Sequence, residues 1–306
     1  MKILVISSNL IGDTILSTGV VNYFHKKYPK AKFTFLIGPS AGQIYSNFIA
    51  KDRIILVKKR RFNLHWIYMY MNVFNTKWDI VIDFRSSLIS YFLIKKKKYI
   101  FKKNKNLNQI NQLKNFFNIK DFSLSISKNN DEEIEVRELI DKKYKYVILF
   151  PGGNWNPKIW PTNYFNKLAH LLNNKFTNLK FIIVGSLKEK EIYYENIKKN
   201  LPDNLFIDLM GKSLTVTSAY MNKSNLFVGN DSGLMHLSIA SNLKTIALFG
   251  PTNDKIYGHY DSNSFVIRTK ERYEDFNKNT MDLGRSYMKT ILPEDVLDLI
   301  INNKMI

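Results

Sequence analysis

The chain has 306 residues, about twice the usual domain size, so two domains that each bury a core are expected. Hydrophobic residues make up 45% and charged residues 24%, which excludes wholesale disorder, and the absence of cysteine excludes disulfides, thiolate metal sites and a cysteine nucleophile. Lys and Arg number 46 against 26 Asp and Glu, a net charge of +20 that suits an anionic partner (nucleic acid, anionic lipid or a phosphorylated substrate) or reflects a Lys-, Asn- and Ile-rich composition.

The first residues, KILVIS at 2–7, run directly into a strand without a cleavable signal. No stretch reaches the roughly 18 uninterrupted apolar residues of a bilayer span. A cytoplasmic protein is the expectation. A polar turn and an apolar-periodic stretch from Thr14 to Tyr28 follow, giving strand, loop and helix. FTFLIG at 33–38, RIILV at 53–57 and DIVIDF at 79–84 add short β-rich runs, and their alternation with helical material predicts a parallel sheet covered by helices.

From about 85 to 130 the pattern weakens into a tract dense in Asn and Lys, where the first domain is expected to end. Asn130 or Asp131 then caps a helix over Glu132–Lys142, read as the connector. The same grammar restarts with YVILF at 146–150, FIIVG at 181–185, LFVG at 226–229 and TIALFG at 245–250. A final amphipathic helix spans Pro293 to Asn303. The predicted organisation is an α/β protein with one domain at 1–130 and a second at 131–306.

Open parallel sheets bind ligands beyond the carboxyl ends of their strands, so the loops after KILVIS, YVILF, FIIVG and LFVG are the candidates. After LFVG come Asn230, Asp231, Ser232, Gly233, Leu234, Met235 and His236 at the start of a helix. Gly233 removes bulk where a phosphate would approach, and first-turn amides point at it with the positive end of the helix dipole. The segment alone equally fits an N-cap at Asp231 followed by turn residues, and His236 fits either ligand or core. Gly12 and Asp13 open the first helix, where Asp13 reads as a general base or as an N-cap. Lys158, in the loop PGGNWNPKIWP, could neutralise a leaving diphosphate or be one solvated lysine among many. Glu189 and Glu191 could accept ribose hydroxyls or simply start a helix. The GxGxxG fingerprint is missing, which counts against an NAD enzyme; no DxD triplet or His/Asp/Glu cluster has metal-ligand spacing, so no metal and no cofactor is expected.

Together MKILVISSNLIGDTILST, WDIVIDFR at 78–85, FPGGNWNPKIWP at 150–161, VGNDSGLMHLSIASNLKTIALFGPTN at 228–253 and MKTILPEDV at 288–296 resemble glycosyltransferase family 9, the ADP-heptose:lipopolysaccharide heptosyltransferases and their relatives. The resemblance implies the GT-B fold, two Rossmann-like domains facing across a cleft, with the acceptor on the first and the nucleotide-sugar on the second. It implies that Asp13 is the catalytic base, that Lys158 contacts the donor phosphates and that Asp231 holds the sugar. Ser232, Gly233 and Leu234 would then offer amides to the diphosphate, His236 would support the loop, and Glu189 or Glu191 would meet the ribose. Two departures stand out: the family often has a proline in a position like Gly19, which would loosen the fit near the acceptor, and often a threonine where Ser232 stands.

The expected activity is an inverting, metal-independent transfer of a sugar, heptose from ADP-heptose being favoured, to an anionic lipopolysaccharide-core or related glycan acceptor. The basic cluster opening KKRRFNLHWIYMYMNVF at 58–74, and Lys95–Lys98 after SLISYFLI, suit peripheral contact with the inner face of the cytoplasmic membrane, or else are solvated flanks of a buried helix. Rival readings are an inactive transferase-like binding module and a nucleic-acid-binding protein. No recognisable nucleic-acid motif accompanies the charge, so no nucleic-acid partner is expected.

Overall fold

The computed structural model describes residues 1–306 apart from 60, 105, 259, 260 and 278 and the side chain of Asn63. Arg60, in the basic cluster noted above, therefore lies outside the described residues. The chain divides into two compact units, Met1–Asn129 and Asn130–Ile306.

The first unit runs β1 (Lys2–Ile6), α1 (Ile11–Lys27), β2 (Lys32–Ile37), β3 (Lys51–Leu56), α2 (His65–Met71), β4 (Trp78–Asp83), α3 (Ile89–Phe92), β5 (Lys95–Ile100) and α4 (Gln109–Phe117). Its strands form one parallel sheet in the order β3-β2-β1-β4-β5. β1 is central, which is why Ile3 to Ile6 form an unbroken apolar run that is fully buried. α1 is buried nearly all round from Thr14 to Val21. Its interior hydroxyls are satisfied locally, Ser17 Oγ donating to the Thr14 carbonyl at 2.7 Å and Thr18 Oγ1 to the Ile15 carbonyl at 2.6 Å. Gly19 departs from the expected loosening. A Cβ there would lie 2.5 Å from the Phe122 ring, so the ring fills the room that glycine leaves.

The second unit runs α5 (Asn130–Leu139), β6 (Lys145–Phe150), α6 (Thr162–Lys175), β7 (Leu179–Gly185), α7 (Leu187–Lys198), β8 (Phe206–Met210), α8 (Leu214–Met221), β9 (Leu226–Asn230), α9 (Gly233–Ala240), β10 (Lys244–Phe249), α10 (Asp254–Tyr257), β11 (Ser264–Arg268) and α11 (Pro293–Asn302). Its parallel sheet has the order β11-β10-β9-β6-β7-β8. Renumbered within the unit this is 3-2-1-4-5-6 read from β8, the doubly wound order of dinucleotide-binding domains, and the first unit repeats it with one strand fewer. Two parallel-sheet α/β domains of this kind agree with the expected fold class. One core fills each unit; in the second it includes Trp160, fully buried, whose indole N–H donates to the Ile291 carbonyl at 2.9 Å.

Three strands escape the sequence reading: β5, β8 and β11, each at a sheet edge. Lys95–Lys98, read as a basic run, is thus four residues of an edge strand. The helix expected at 132–142 spans Asn130–Leu139, with both proposed caps inside its first turn. It is no free connector. Its Glu132 accepts from Thr215 Oγ1 at 3.0 Å and its Glu133 from Asn222 at 3.4 Å, docking it on α8.

Candidate active site

In each sheet the strand order reverses between the first and fourth strands of the unit, β1 and β4 in the first and β6 and β9 in the second. Crevices of doubly wound sheets open there. The loops that carry Asp13, Lys158 and Asp231 all leave strands at these two points.

At the second point the organising residue is Asn230, the last residue of β9 and fully buried. Its Oδ1 accepts the Trp160 N–H at 2.9 Å, while its Nδ2 donates to the carbonyls of Pro151 at 3.1 Å and Gly152 at 2.9 Å. One amide thereby fixes both ends of the loop after β6. Lys158 is not a solvated surface lysine. Its side chain is only 13% exposed and its Nζ stands 3.8 Å from Oδ2 of Asp231, itself 10% exposed. That separation is an ion pair beyond hydrogen-bonding range, so the ammonium keeps protons to offer a ligand.

The N-cap of α9 is Ser232 and not Asp231: its hydroxyl accepts the Met235 N–H at 3.3 Å. Asp231 is thereby left outside the helix, beside Lys158. The amides of Gly233 and Leu234 meet no acceptor among the described residues, as expected for the first turn of a helix. The site therefore presents an ammonium and two amides at the positive end of a helix. This arrangement suits a diphosphate. His236 lies in the same helix, buried, with its ring 6.1 Å from that of Tyr257.

Glu189 and Glu191 part company. Glu189 forms a capping box with Ser186 and also accepts the Gly153 N–H at 2.8 Å, which ties the start of α7 to the Lys158 loop. A Cβ on Gly152 would fall 2.0 Å from its Oε1, so any larger residue there must displace the Glu189 carboxylate from these bonds. Glu191 is exposed on α7.

In the first unit Asp13 is the third residue of α1 and Gly12 the second; Leu10 occupies the N-cap position, so Asp13 is not the cap. The carboxylate is partly exposed and pairs with Lys103 at 3.2 Å, beyond the end of β5. Asp83, ending β4, is fully buried, and accepts from the amides of Arg85 and Ser87 and from the Ser87 hydroxyl at 2.6–2.8 Å. It shapes its own loop. Sequence reasoning missed Asn230, Lys103 and Asp83 as site residues. A polar residue ending an apolar strand was the available signal for Asn230 and Asp83; nothing marked Lys103 within its lysine-rich tract. Among the described residues no group of three or more His, Asp or Glu could hold a metal ion, and no helix is long and apolar enough to cross a membrane.

The family model described as glycosyltransferase family 9 (heptosyltransferase) matches residues 89–284, which takes in Lys158, Glu189 and Asp231–His236 but not Asp13. A lipooligosaccharide heptosyltransferase 2 of Campylobacter jejuni is 27% identical over 266 residues, covering 82% of this chain and 82% of its own. Among solved structures, a family 9 glycosyl transferase from Veillonella parvula aligns with a TM-score of 0.76 at 22% identity, covering 99% of this chain and 96% of that one. The Escherichia coli heptosyltransferase WaaC with ADP aligns at 0.75 and 17% identity, over 99% of this chain and 100% of that one.

Proposed function

The chain belongs to glycosyltransferase family 9 and is a glycosyl-transferring enzyme, and we propose that it moves heptose from ADP-heptose to a lipopolysaccharide-core or related glycan acceptor, with inversion and without a metal. The observation that carries this reading is the Lys158–Asp231 pair beside the open amides of α9, at the crevice of the second sheet. The E. coli structural neighbour was solved with ADP, and the C. jejuni relative is named a heptosyltransferase, which supports the choice of donor.

In this reading Asp13 removes the proton of the acceptor hydroxyl as its oxygen attacks the anomeric carbon. The bond from that carbon to the diphosphate breaks in the same step, and ADP leaves with the charge received by Lys158 and by the Gly233 and Leu234 amides. Asp231 orients the sugar hydroxyls. Glu189, rather than the exposed Glu191, meets the ribose: three donors reach its carboxylate, which leaves a lone pair of roughly four for a ligand hydroxyl. The reaction belongs to the cytoplasm, where nucleotide-sugars are available.

Thermal-shift screening against ADP-, GDP-, UDP- and dTDP-sugars tests the donor, because a ligand of the folded state raises apparent stability by mass action. Stabilisation by ADP-sugars alone is expected; a response to none of the four removes the reading.

A further inference from the structure

The first unit leaves an apolar region unfilled between two of its helices. α2 and α3 touch and leave between them an apolar cavity of about 540 Å³ lined by Trp66, Ile67, Tyr70, Leu88, Ile89 and Phe92. The side chains around it stand outward: Phe62 is 84% exposed, Leu88 72%, Phe92 71% and Ile67 61%. Large apolar groups clustered in this way, unlike scattered single ones, mark a surface that meets something.

Charge indicates what it meets. From Lys58 to Lys98 the sequence holds ten Lys or Arg and two acids. Of the acids, Asp79 is paired with Lys96 at 2.7 Å and Asp83 is buried within its own loop. The cations are set against aromatic rings, Arg85 lying 5.5 Å from the Trp66 ring centre and Lys98 4.2 Å from that of Tyr91. An apolar face with interleaved aromatics and a rim of one charge sign matches the headgroup and acyl boundary of an anionic bilayer. Single-stranded nucleic acid would instead use flat stacking platforms, for which the outward Leu88 and Ile67 are unsuited.

We propose that the α2–α3 face seats the protein on an anionic lipid bilayer. Ile67, Leu88 and Phe92 enter the acyl boundary, and Lys58, Lys59, Arg61 and Lys98 meet lipid phosphates. Docking of this kind needs no turnover, so its test is separate from that of the transfer reaction.

The test is co-sedimentation of the full chain with phosphatidylcholine vesicles and with vesicles containing about 30 mol% phosphatidylglycerol, at about 0.05 M and about 0.3 M salt. Binding to the anionic vesicles at both salts is expected, and none to phosphatidylcholine alone. The triple variant Ile67→Ser, Leu88→Ser, Phe92→Ser should melt with the parent and bind at least about tenfold less at the higher salt, since apolar burial then carries the attachment. Leu139→Ser, an exposed position on α5, should change nothing. The proposal is overturned if the parent ignores anionic vesicles at low salt, if it leaves them entirely at the higher salt, or if the triple variant binds like the parent. Binding of a short single-stranded DNA that the triple variant loses would also overturn it, in favour of a nucleic-acid surface.

Discussion

Replacing Asn230 with alanine tests whether one buried amide assembles the donor loop. The change removes three hydrogen bonds, from the Trp160 N–H and to the Pro151 and Gly152 carbonyls. At about 1 kcal/mol net for each bond, and about 1–2 kcal/mol more for a buried N–H left without an acceptor, the loss is about 4–5 kcal/mol. The second unit runs from 130 to 306, and a domain of that size loses about 2–4 °C in Tm per kcal/mol, so its melting should fall by roughly 8–20 °C. Asn230→Asp separates the polar pattern from the shape. It keeps an acceptor for Trp160 but sets a carboxylate oxygen against two carbonyls, so it should fall at least as far. Thermal unfolding followed by circular dichroism and by tryptophan fluorescence, with and without ADP, measures both stability and donor affinity. An Asn230→Ala protein melting within about 2 °C of the parent, with unchanged response to ADP, would refute the assembly role.

Asp13→Asn should lower transfer by about 10²–10⁴-fold while leaving the ADP thermal shift intact, and a loss of both together would count against its role as base. Lys158→Met should raise the ADP Kd about ten- to hundredfold, measured by calorimetry, because a charge-assisted contact to phosphate is worth about 1.5–3 kcal/mol. Ser232→Ala should cost about 1 kcal/mol in denaturant unfolding through loss of the α9 cap, with Ser232→Thr close to neutral. Gly152→Ala should destabilise through its collision with Glu189, and the double Gly152→Ala, Glu189→Ala protein should be no less stable than Glu189→Ala alone; additive losses in that cycle would show that the collision is not the cause.

The central strands were legible in the sequence because burial on both faces demands unbroken apolar runs, as in KILVI and YVILF. β5, β8 and β11 were not, because an edge strand has one neighbour and tolerates charge within it; β3, also at an edge, was read because it keeps the uninterrupted apolar run IIL. KKKKYI places lysines where they deter pairing with another chain, and hydropathy reads that as a surface tract. The loops of the site were legible by position, from the rule that ligands gather beyond strand ends. Partnership was not. That Lys158 faces Asp231 and that Asn230 holds the loop between them depend on contacts across about 70 residues of sequence, which no local pattern encodes, whereas the choice of Ser232 over Asp231 as the α9 cap is a local matter of where the helix starts.

The Phe122 ring seated over Gly19 carries a consequence for how this protein can change over generations. A larger residue at position 19 meets the ring at once, so it requires the Phe122 side chain to swing aside or to be replaced by a smaller one. Shrinking Phe122 first opens a void beside α1 that a new side chain at 19 can then occupy. The two positions are coupled: the residue and rotamer at 122 set what position 19 can hold, and a smaller residue at 122 widens that choice.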